Sequence, residues 1–342
     1  MRPLRASVPD LALVRAALDG SGPALLTDPA AALAGPVDDE VCAIVPTSGS
    51  TGAPRGVELT AACLTVSARA TAEVVGEGQW LLAVPPTHVA GLQVLVRSVL
   101  AGTSPVVLDG PTTRASFEDA AARMTGGHRL VALVPTQLRR LLGSPALRAL
   151  DAVLLGGAAA PADLVEAARA DGVRVVTTYG MTETSGGCVY DGVPLAGVTV
   201  EAGDRIVVRG PVVARGVLGG ERFSGEVRTN DVGEWRDGRL VVLGRADDVV
   251  VTGGEKVAPA AVEDRLRAHP SVVDVAVVGV PDEEWGQRVV AVVVLRGPLG
   301  LEEARDHVAG PLPRAAAPRE LRVVDALPLL PSGKIDRMRL RA

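Results

Sequence analysis

Directly after the apolar run 41–46 the chain reads Thr47-Ser48-Gly49-Ser50-Thr51-Gly52-Ala53-Pro54-Arg55-Gly56. Four hydroxyl side chains and three glycines stand within these ten residues. Glycine lets a backbone approach an anion closely, and hydroxyl and backbone N–H groups donate hydrogen bonds to phosphate oxygens. The glycines lack the Walker spacing G-x-x-x-x-G-K-[ST]. By itself the stretch indicates either a polyphosphate-binding loop or an ordinary flexible surface loop.

Composition narrows the class of protein. The 342 residues, 47% of them hydrophobic, suffice for one large domain and a smaller one. A net charge of -5 without a basic block argues against nucleic acid as the partner. Three widely spaced cysteines form no C-x-x-C pair, which favours a reducing compartment over a disulfide framework. With no leader pattern and no run of about 18 apolar residues, we expect a cytoplasmic protein without a membrane span.

Residues 41–179 alternate between apolar strand-like runs and amphipathic helical runs, after a lead-in with a weak helical pattern at Leu11–Leu18. This alternation predicts an α/β fold with a doubly wound, mostly parallel sheet, whose ligands bind beyond the carboxyl ends of the strands. The predicted strands are 41–45, 80–84, 105–108, 130–134, 152–155 and 173–177. The predicted helices are 60–75, 91–100, 136–142 and 162–170.

The sequence pattern changes after this region. Residues 198–243 contain short alternating runs separated by Gly, Asp and Pro, which predict a small antiparallel β subdomain. The charged stretch Gly244-Arg245-Ala246-Asp247-Asp248 then precedes a new α+β pattern. We therefore predict a large N-terminal domain, residues 1–244, and a small mobile C-terminal α+β domain, residues 245–342.

Lysine is rare in this chain. It contains 33 arginines but only two lysines, Lys256 and Lys334. Lysine is a compact, flexible point charge, whereas the guanidinium of arginine is a planar fork. The scarcity favours a chemical reason for at least one of the two positions over chance.

Five segments, in this order, resemble the adenylate-forming superfamily of acyl- and aryl-CoA ligases, luciferases and peptide-synthetase adenylation domains. The resemblance covers roughly residues 41–342. The segments are 47–56, 179–184 (Tyr-Gly-Met-Thr-Glu-Thr), 229–233 (Thr-Asn-Asp-Val-Gly), 244–257 and 331–335 (Pro-Ser-Gly-Lys-Ile).

The resemblance implies that ATP and a carboxylate form an acyl-adenylate and pyrophosphate, and that the acyl group then passes to a thiol, commonly that of CoA. Such a reaction mainly requires charge to be positioned and neutralised. Loop 47–56 would hold the β- and γ-phosphates, with Arg55 where relatives usually have lysine. Thr182 would hydrogen-bond the α-phosphate, and Glu183 would ligate Mg²⁺.

The resemblance also implies the nucleoside site. Gly156-Gly157-Ala158 would flank the adenine, and Tyr179, next to Gly180, would stack on it. Asp231 would accept both ribose hydroxyls, and Arg245 would make a second ribose contact. Relatives more often have glycine where this chain has Asn230, its only asparagine, and the sequence offers no reason for it.

Lys334 matches the lysine that relatives use for adenylation. It would bridge the substrate carboxylate and the α-phosphate as negative charge develops there, a task that suits a flexible point charge. Asp247 resembles the hinge residue about which the C-terminal domain turns between the two half-reactions.

The carboxylic acid is less clearly indicated. Relatives usually carry well over a hundred residues before the phosphate loop, and this chain has about 46, so it resembles most closely the compact o-succinylbenzoate–CoA ligases of menaquinone biosynthesis. The run Pro85-Pro86-Thr87-His88-Val89-Ala90-Gly91 resembles their acyl pocket, with His88 near the acid and Val89 and Gly91 leaving room for a ring. Another aryl- or acyl-CoA ligase, an enzyme that loads a carrier-protein thiol and a non-catalytic nucleotide-binding regulator remain alternatives. A homo-oligomer is possible, and no arginine can be chosen for a second substrate carboxylate.

Overall fold

The computed structural model of the chain describes residues 2–31, 37–48, 54–328 and 335–341. Its internal contacts divide it into two units, each with its own sheets. Unit 1 comprises Met1–Glu201 with Val207–Arg228, and unit 2 comprises Ala202–Ile206 with Thr229–Ala342. Unit 2 thus includes strands that precede the predicted junction at Gly244, and a pivot at Asp247 stays a prediction.

The N-terminal segment forms a sheet. Strands β1, β2 and β3 pair in parallel, and β4 returns antiparallel to β3. The predicted helix near Leu11 is confirmed: it begins after Asp10, whose carboxylate accepts the N–H of Leu13 at 2.8 Å, and ends at Gly20, with φ of 80°. The two first strands have three residues each, too few to show alternation in the sequence. The elements are β1 (Leu4–Ala6), α1 (Leu11–Asp19), β2 (Ala24–Leu26), β3 (Val41–Ser48), β4 (Pro54–Thr60) and α2 (Ala61–Val75).

The second sheet of unit 1 contains seven strands and alternates with helices along the chain. Its elements are β5 (Gln79–Leu82), α3 (Val89–Leu100), β6 (Val106–Val107), α4 (Arg114–Ala122), β7 (Arg129–Leu133), α5 (Pro135–Leu141), α6 (Pro145–Arg148), β8 (Ala152–Leu155), α7 (Ala162–Ala170), β9 (Val175–Met181), β10 (Gly186–Tyr190) and β11 (Val193–Pro194). The spatial order is β11-β10-β9-β8-β7-β5-β6. The five strands from β9 to β6 in this order pair in parallel. Strand β10 pairs antiparallel with β9, and β11 pairs antiparallel with β10. The predicted parallel sheet is confirmed, although β3, which we expected within it, belongs to the N-terminal sheet.

The parallel strands form the main core of unit 1. Val131 and Val153 point into a cluster with Phe117 of α4, Leu138 of α5 and Leu164 of α7, all at most 1% exposed. Strands covered by helices need apolar residues on both faces, which explains why their sequences are continuous Val, Leu and Ala runs.

The antiparallel strands that follow are divided among three sheets. Their bounds are β12 (Thr199–Glu201), β13 (Val207–Arg209), β14 (Gly216–Val217), β15 (Glu226–Arg228), β16 (Asp231–Arg236) and β17 (Arg239–Arg245). Strands β12, β13 and β15 form a sheet in unit 1, and β14 extends the N-terminal sheet beside β4. The β16–β17 hairpin belongs to unit 2, because the N–H of Ile206 donates to Asp231 at 2.7 Å and that of Thr229 to Ile206 at 2.9 Å. The single antiparallel subdomain predicted for 198–243 is therefore divided between the units.

Unit 2 continues with the predicted α+β pattern. Its remaining elements are β18 (Val250–Thr252), β19 (Glu255–Val257), α8 (Pro259–Arg267), β20 (Val272–Asp282), β21 (Gly286–Leu295), α9 (Leu301–Ala309), β22 (Glu320–Val323) and α10 (Arg337–Leu340). The sheet order is β19-β18-β21-β20, with β22 also paired to β21. Val262 and Leu266 of α8 and Ala304 and Val308 of α9 pack on this sheet.

The three cysteines, Cys42, Cys63 and Cys188, are free and buried. Burial raises the pKa of Cys42 to about 12 and that of Cys188 to about 11. Both thiols are therefore protonated at neutral pH and are poor nucleophiles. Within the described ranges, no helix combines the length and the apolar character needed to cross a membrane.

His307 joins helices α8 and α9 of unit 2. Its Nε2–H donates to the carbonyl oxygen of Arg265 at 2.9 Å, and its ring meets that of His269 edge-on, with centroids 5.1 Å apart. Burial is the main cause that lowers the pKa of His307 below its ordinary value, and the charges of Arg265 and His269 act in the same direction. The fold therefore favours the neutral imidazole.

We expect acid to destabilise unit 2 through His307. The unfolded chain, in which histidine titrates near pH 6.5, binds more protons than the folded chain as the pH falls, so stability present above about pH 6.5 is lost below it. His307→Gln keeps an N–H donor but cannot be protonated. Its thermal midpoint should fall less than that of the wild type between about pH 7.5 and about pH 5.5. The exposed His88 gives a control, His88→Gln, that should follow the wild type; equal losses in all three proteins would contradict the expectation.

Candidate active site

The predicted phosphate loop is the tip of a hairpin. Strands β3 and β4 pair antiparallel up to Ser48 opposite Pro54, and the Thr47 hydroxyl donates to the Arg55 carbonyl at 3.3 Å. The loop therefore joins two antiparallel strands, whereas the sequence suggested a turn at the end of a parallel strand. Arg55 is exposed on β4. Gly49, Ser50, Thr51 and Gly52 lie outside the described residues, as does the side chain of Ser48.

Thr182 and Glu183 stand on a fixed turn at the end of β9. The chain makes one 3-10 turn, Thr182–Thr184, and then Ser185 adopts a left-handed conformation with φ of 56°. The Glu183 carbonyl accepts the N–H of Ala214 at 2.8 Å, and the Ser185 hydroxyl donates to the carbonyl of Val212 at 2.7 Å. The Thr182 and Glu183 side chains are half-buried, so the turn presents a carboxylate on a rigid backbone.

Two glycines at the carboxyl ends of β8 and β9 have no room for a side chain. A Cβ on Gly156 would lie 2.3 Å from the Thr178 hydroxyl, and one on Gly180 would lie 2.1 Å from the carbonyl oxygen of Gly186. The strand ends therefore approach each other closely. Gly157 and Ala158 are exposed just beyond β8, and Tyr179 is half-buried between these strand ends.

A cavity of about 120 Å³ lies between α3 and the carboxyl ends of β7, β8 and β9. Its walls include Val89 on one side and the predicted nucleotide residues Gly156, Gly157 and Gly180 on the other. The cavity thus brings part of the predicted acyl pocket next to part of the predicted adenine site. It lies where parallel α/β sheets bind ligands.

Arg97 of α3 also lines this cavity, and the sequence did not single it out. It is 8% exposed. Its Nη2 donates to the Thr71 hydroxyl at 3.2 Å, the Tyr190 hydroxyl lies beside it, and its guanidinium carbon is 5.1 Å from the centre of a Trp80 ring. Burial lowers the pKa of Arg97, and the Tyr190 hydroxyl acts in the opposite direction. Within the described residues the side-chain hydrogen bond of Arg97 goes to a hydroxyl and not to a carboxylate. Its Nε is buried and has no partner among the described residues.

Gln93 stands one helical turn before Arg97 on the same wall. Its amide nitrogen donates to the carbonyls of Ser185 at 2.8 Å and Leu64 at 3.4 Å. Its Oε1 is buried and, within the described chain, accepts no hydrogen bond. The pattern Val89, Gln93, Arg97 places two long polar side chains on one face of an otherwise apolar helix. That spacing was the signal by which the sequence could have identified both residues.

The three predicted pocket residues take different places. Val89 lines the cavity. His88 is exposed at the start of α3 and is not among the described residues that line the cavity. Gly91 is buried, and a Cβ there would lie 2.2 Å from the carbonyl oxygen of Pro85. The lack of a side chain at Gly91 thus lets the helix pack on the preceding loop.

In unit 2 the two predicted ribose residues face each other. Asp231 and Arg245 are opposite residues of the β16–β17 hairpin, and Arg245 Nε lies 3.7 Å from Asp231 Oδ1. The Asp231 side chain is 14% exposed and that of Arg245 58%. The partly sheltered carboxylate can accept hydrogen bonds from hydroxyl groups, and the exposed guanidinium beside it can donate to hydroxyl oxygens.

The structure gives a reason for Asn230. Its amide nitrogen donates to the carboxylate of Asp247, the predicted hinge residue, at 2.9 Å. The Asp247 carbonyl accepts from Arg341 at 2.6 Å, and the N–H of Ala246 donates to the Asn230 carbonyl at 2.8 Å. Glycine at position 230 has no side chain and could not make the first of these bonds. Asn230 therefore gives the predicted hinge residue a contact that glycine cannot provide.

Lys334 lies outside the described residues, but the chain on both sides of it is anchored. The N–H of Asp336 donates to the carbonyl of Pro328 at 2.8 Å. Arg337 binds the buried Glu263 through two hydrogen bonds, of 2.6 and 3.2 Å. These contacts fix the described chain at Pro328 on one side and at Asp336 and Arg337 on the other.

No group of three His, Cys, Asp or Glu side chains in the described part of the chain is arranged to hold a metal ion. Mg²⁺ does not need one when a nucleotide is present, because it commonly binds one or two carboxylates, water and phosphate oxygens. The half-buried Glu183 carboxylate fits that mode.

Comparison with known proteins identifies the family to which the chain belongs. Residues 15–212 match the profile of the AMP-binding enzymes, and residues 261–334 match that of the AMP-binding enzyme C-terminal domain. A protein of Mycobacterium tuberculosis named probable 2-succinylbenzoate–CoA ligase is 47% identical, with 94% of this chain and 92% of that protein covered.

The chain is also similar to solved structures. o-Succinylbenzoate CoA synthetase (MenE) from Bacillus subtilis, in complex with the acyl-adenylate intermediate OSB-AMP, is 30% identical with a TM-score of 0.75, over 88% of this chain and 69% of that one. ATP-bound MatB from Rhodopseudomonas palustris is 28% identical with a TM-score of 0.73, over 90% of this chain and 69% of that one.

Proposed function

The chain belongs to the family of AMP-binding enzymes, and from that membership we propose that it is an ATP-dependent 2-succinylbenzoate–CoA ligase acting in menaquinone biosynthesis. The relatives named above are called 2-succinylbenzoate–CoA ligase or o-succinylbenzoate CoA synthetase. The reaction is an acid–thiol ligation in two steps. A carboxylate displaces pyrophosphate from ATP to give an acyl-adenylate, and the thiol of CoA then displaces AMP.

The observation that carries the choice of acid is the unpaired positive charge of Arg97 at the cavity wall. 2-Succinylbenzoate has two carboxylates, of which one is activated and the other stays an anion. Burying a cation without a counter-charge costs several kcal/mol. A second substrate carboxylate would neutralise Arg97 and satisfy its Nε, which a monocarboxylic acid cannot do.

The remaining walls suit the rest of this acid. Val84, Val89 and Leu133 offer an apolar surface for an aromatic ring. The glycines 156 and 180 lie on the opposite side of the cavity, and there we place the activated carboxylate beside the nucleotide.

We assign the nucleotide contacts on the chemistry of the residues. Thr47, Arg55 and loop 47–56 would hold the β- and γ-phosphates, and Thr182 the α-phosphate. Gly156-Gly157-Ala158 and Tyr179 would hold the adenine. Asp231 and Arg245 would hold the ribose hydroxyls. Mg²⁺, held by Glu183, would supply charge neutralisation at the phosphate oxygens when bound.

Lys334 would stabilise the negative charge that develops between the acid and the α-phosphate in the first step. The ammonium group can donate to both oxygens at once and follow them as the bond forms. Asp247 would be the pivot between the two steps, with Asn230 and Arg341 as the contacts that hold it.

Pyrophosphate release measured over a panel of acids, with and without CoA, tests the function. We expect release with 2-succinylbenzoate, little with benzoate or a fatty acid, and thioester only when CoA is added. A preference for benzoate or a fatty acid would identify another acyl- or aryl-CoA ligase. Adenylate without thioester would indicate a carrier-protein thiol as acceptor, and no release with any acid would indicate a nucleotide-binding regulator.

Arg97→Met should raise the KM for 2-succinylbenzoate by about 10²-fold, because truncation of one partner of a buried charge pair costs roughly 2–5 kcal/mol. Two analogues sharpen the test: 4-oxo-4-phenylbutanoate lacks the ring carboxylate, and 2-butanoylbenzoate lacks the aliphatic one. The variant should discriminate less than the wild type between 2-succinylbenzoate and whichever analogue keeps the activated carboxylate. Arg15→Met, at an exposed arginine of α1, is the control. Unchanged discrimination in Arg97→Met would contradict the assignment.

Lys334→Ala should lose pyrophosphate release by orders of magnitude but still convert supplied acyl-adenylate and CoA to the thioester, because the lysine acts only on the charge of the first step. Arg339→Ala removes an exposed positive charge from the same segment and should keep both activities. Unchanged pyrophosphate release in Lys334→Ala would exclude this role.

A further inference from the structure

The N-terminal segment is held tightly to the sheet that carries the hairpin. The Arg2 side chain is 8% exposed, and its guanidinium donates to the carbonyl oxygens of Ala17 at 2.8 Å, Gly22 at 2.6 Å and Val41 at 3.2 Å. Arginine makes such a set of bonds with one rigid fork of donors. The N-terminal segment is therefore a fixed part of unit 1, and the groups that it contacts are held in place with it.

Thr27 directly follows strand β2 in this part of unit 1. It is fully buried, and its backbone N–H continues the parallel pairing by donating to Ile44 at 3.0 Å. Its hydroxyl leaves the sheet and donates to the carbonyl oxygen of Thr87 at 2.8 Å. Thr87 stands immediately before His88, the N-cap of α3.

The loop that receives this hydrogen bond separates two spaces. On its inner side Val84 and Val89 line the acyl cavity. On its outer side Val84, Pro85 and Pro86 border a groove of about 600 Å³. Because the outer side faces an open groove, packing does not hold the loop there. The position of the loop therefore depends more strongly on the hydrogen bonds at its ends. At its start the Gln137 amide nitrogen donates to the Ala83 carbonyl at 2.7 Å. Towards its end one bond is internal, from the N–H of His88 to the Pro85 carbonyl at 3.1 Å, and one comes from Thr27.

The loop in turn determines where α3 begins. Gly91 packs against the Pro85 carbonyl so closely that no Cβ fits between them. Val89, Gln93 and Arg97 follow on one face of α3 and form one wall of the cavity. A shift of the loop would therefore move the whole wall relative to the strand ends, and misplacement by about 1 Å is enough to cost activity strongly.

We propose that Thr27 is a positioning residue for the acid: its hydroxyl, through the Thr87 carbonyl, fixes the loop and α3 in the place that binds the carboxylic acid substrate. The inference rests on the proposed function only in taking that cavity as the acyl site. Thr27 touches the loop and not the substrate, so its removal should weaken binding of the acid and leave the binding of ATP unchanged.

Three variants test the proposal. Thr27→Val keeps the shape and removes the hydroxyl, Thr27→Ala is the smaller alternative should valine impair folding, and Thr27→Ser keeps the donor. We expect the KM for the acid to rise about tenfold in Thr27→Val and Thr27→Ala, the size of one lost hydrogen bond, with the KM for ATP unchanged. Thr27→Ser should restore the wild-type KM. Ser144→Ala removes another fully buried hydroxyl, one that donates to Glu118 at 2.7 Å, and should leave both KM values unchanged.

Hydrogen–deuterium exchange provides a readout that does not depend on turnover. The amides of residues 84–92 should exchange faster in Thr27→Val than in the wild type, Thr27→Ser or Ser144→Ala. Unchanged exchange would overturn the proposal, as would faster exchange with an unchanged KM for the acid, or a parallel rise in both KM values. The kinetics use whichever acid the wild type activates. Failure of 2-succinylbenzoate as substrate would therefore contradict the proposed function and leave the comparison of Thr27 variants decisive.

Discussion

One positive charge organises the interior of unit 1. The Arg97 guanidinium is buried, and its neighbours come from separate elements: Thr71 from α2, Trp80 from β5 and Tyr190 from β10. All three neighbours are neutral, so they orient the charge without cancelling it. An interior cation normally has a carboxylate partner, because its desolvation is otherwise uncompensated. In the proposed function the compensation comes from an anionic group of the substrate, which would make the site selective for charge as well as for shape.

The strand ends beside this charge impose a second constraint. Gly156 and Gly180 have no space for a Cβ because neighbouring backbone and hydroxyl atoms lie within 2.3 Å of its position. Their role is close packing of β8, β9 and β10, which narrows the cavity on the nucleotide side. A larger residue at either position would separate the strands and widen the space between the proposed acid and adenine sites.

Much of the central fold was predictable from the sequence, and the exceptions have physical causes. β8 and α7 have the predicted bounds, since Ala152–Leu155 is a buried apolar run and Ala162–Ala170 an amphipathic one. The hairpin form of the phosphate loop was not predictable, because a glycine-rich stretch suits a hairpin tip and a strand–helix turn equally well. Arg97 was missed since hydrophobic patterning assigns arginine to the surface.

Contacts between loops were also beyond the sequence. The bond from Asn230 to Asp247 joins residues of different loops, and no periodicity connects them. The candidate site residues of unit 2 come from the resemblance to relatives. The structure adds that two of them, Asp231 and Arg245, face each other across a hairpin. The sequence thus offers candidates for the reaction more readily than candidates that hold the acid, because reaction motifs are local and a substrate cavity is assembled from distant elements.

Helix α3 links the two halves of the proposed chemistry. In the proposed function Arg97 binds the acid, while Gln93, one turn earlier, donates to the carbonyl of Ser185, two residues after Glu183. The turn that presents the carboxylate is also fixed without α3, because Glu183 and Ser185 bond to Ala214 and Val212. The helix therefore sets the place of the proposed recognition charge relative to a turn that keeps its own position. Because a helix moves as a rigid rod over so short a length, the spacing between acid and phosphates is set by where α3 starts. The bond from Thr27 to Thr87 acts at that start, and so a residue outside the reacting groups bears on the geometry of the reaction.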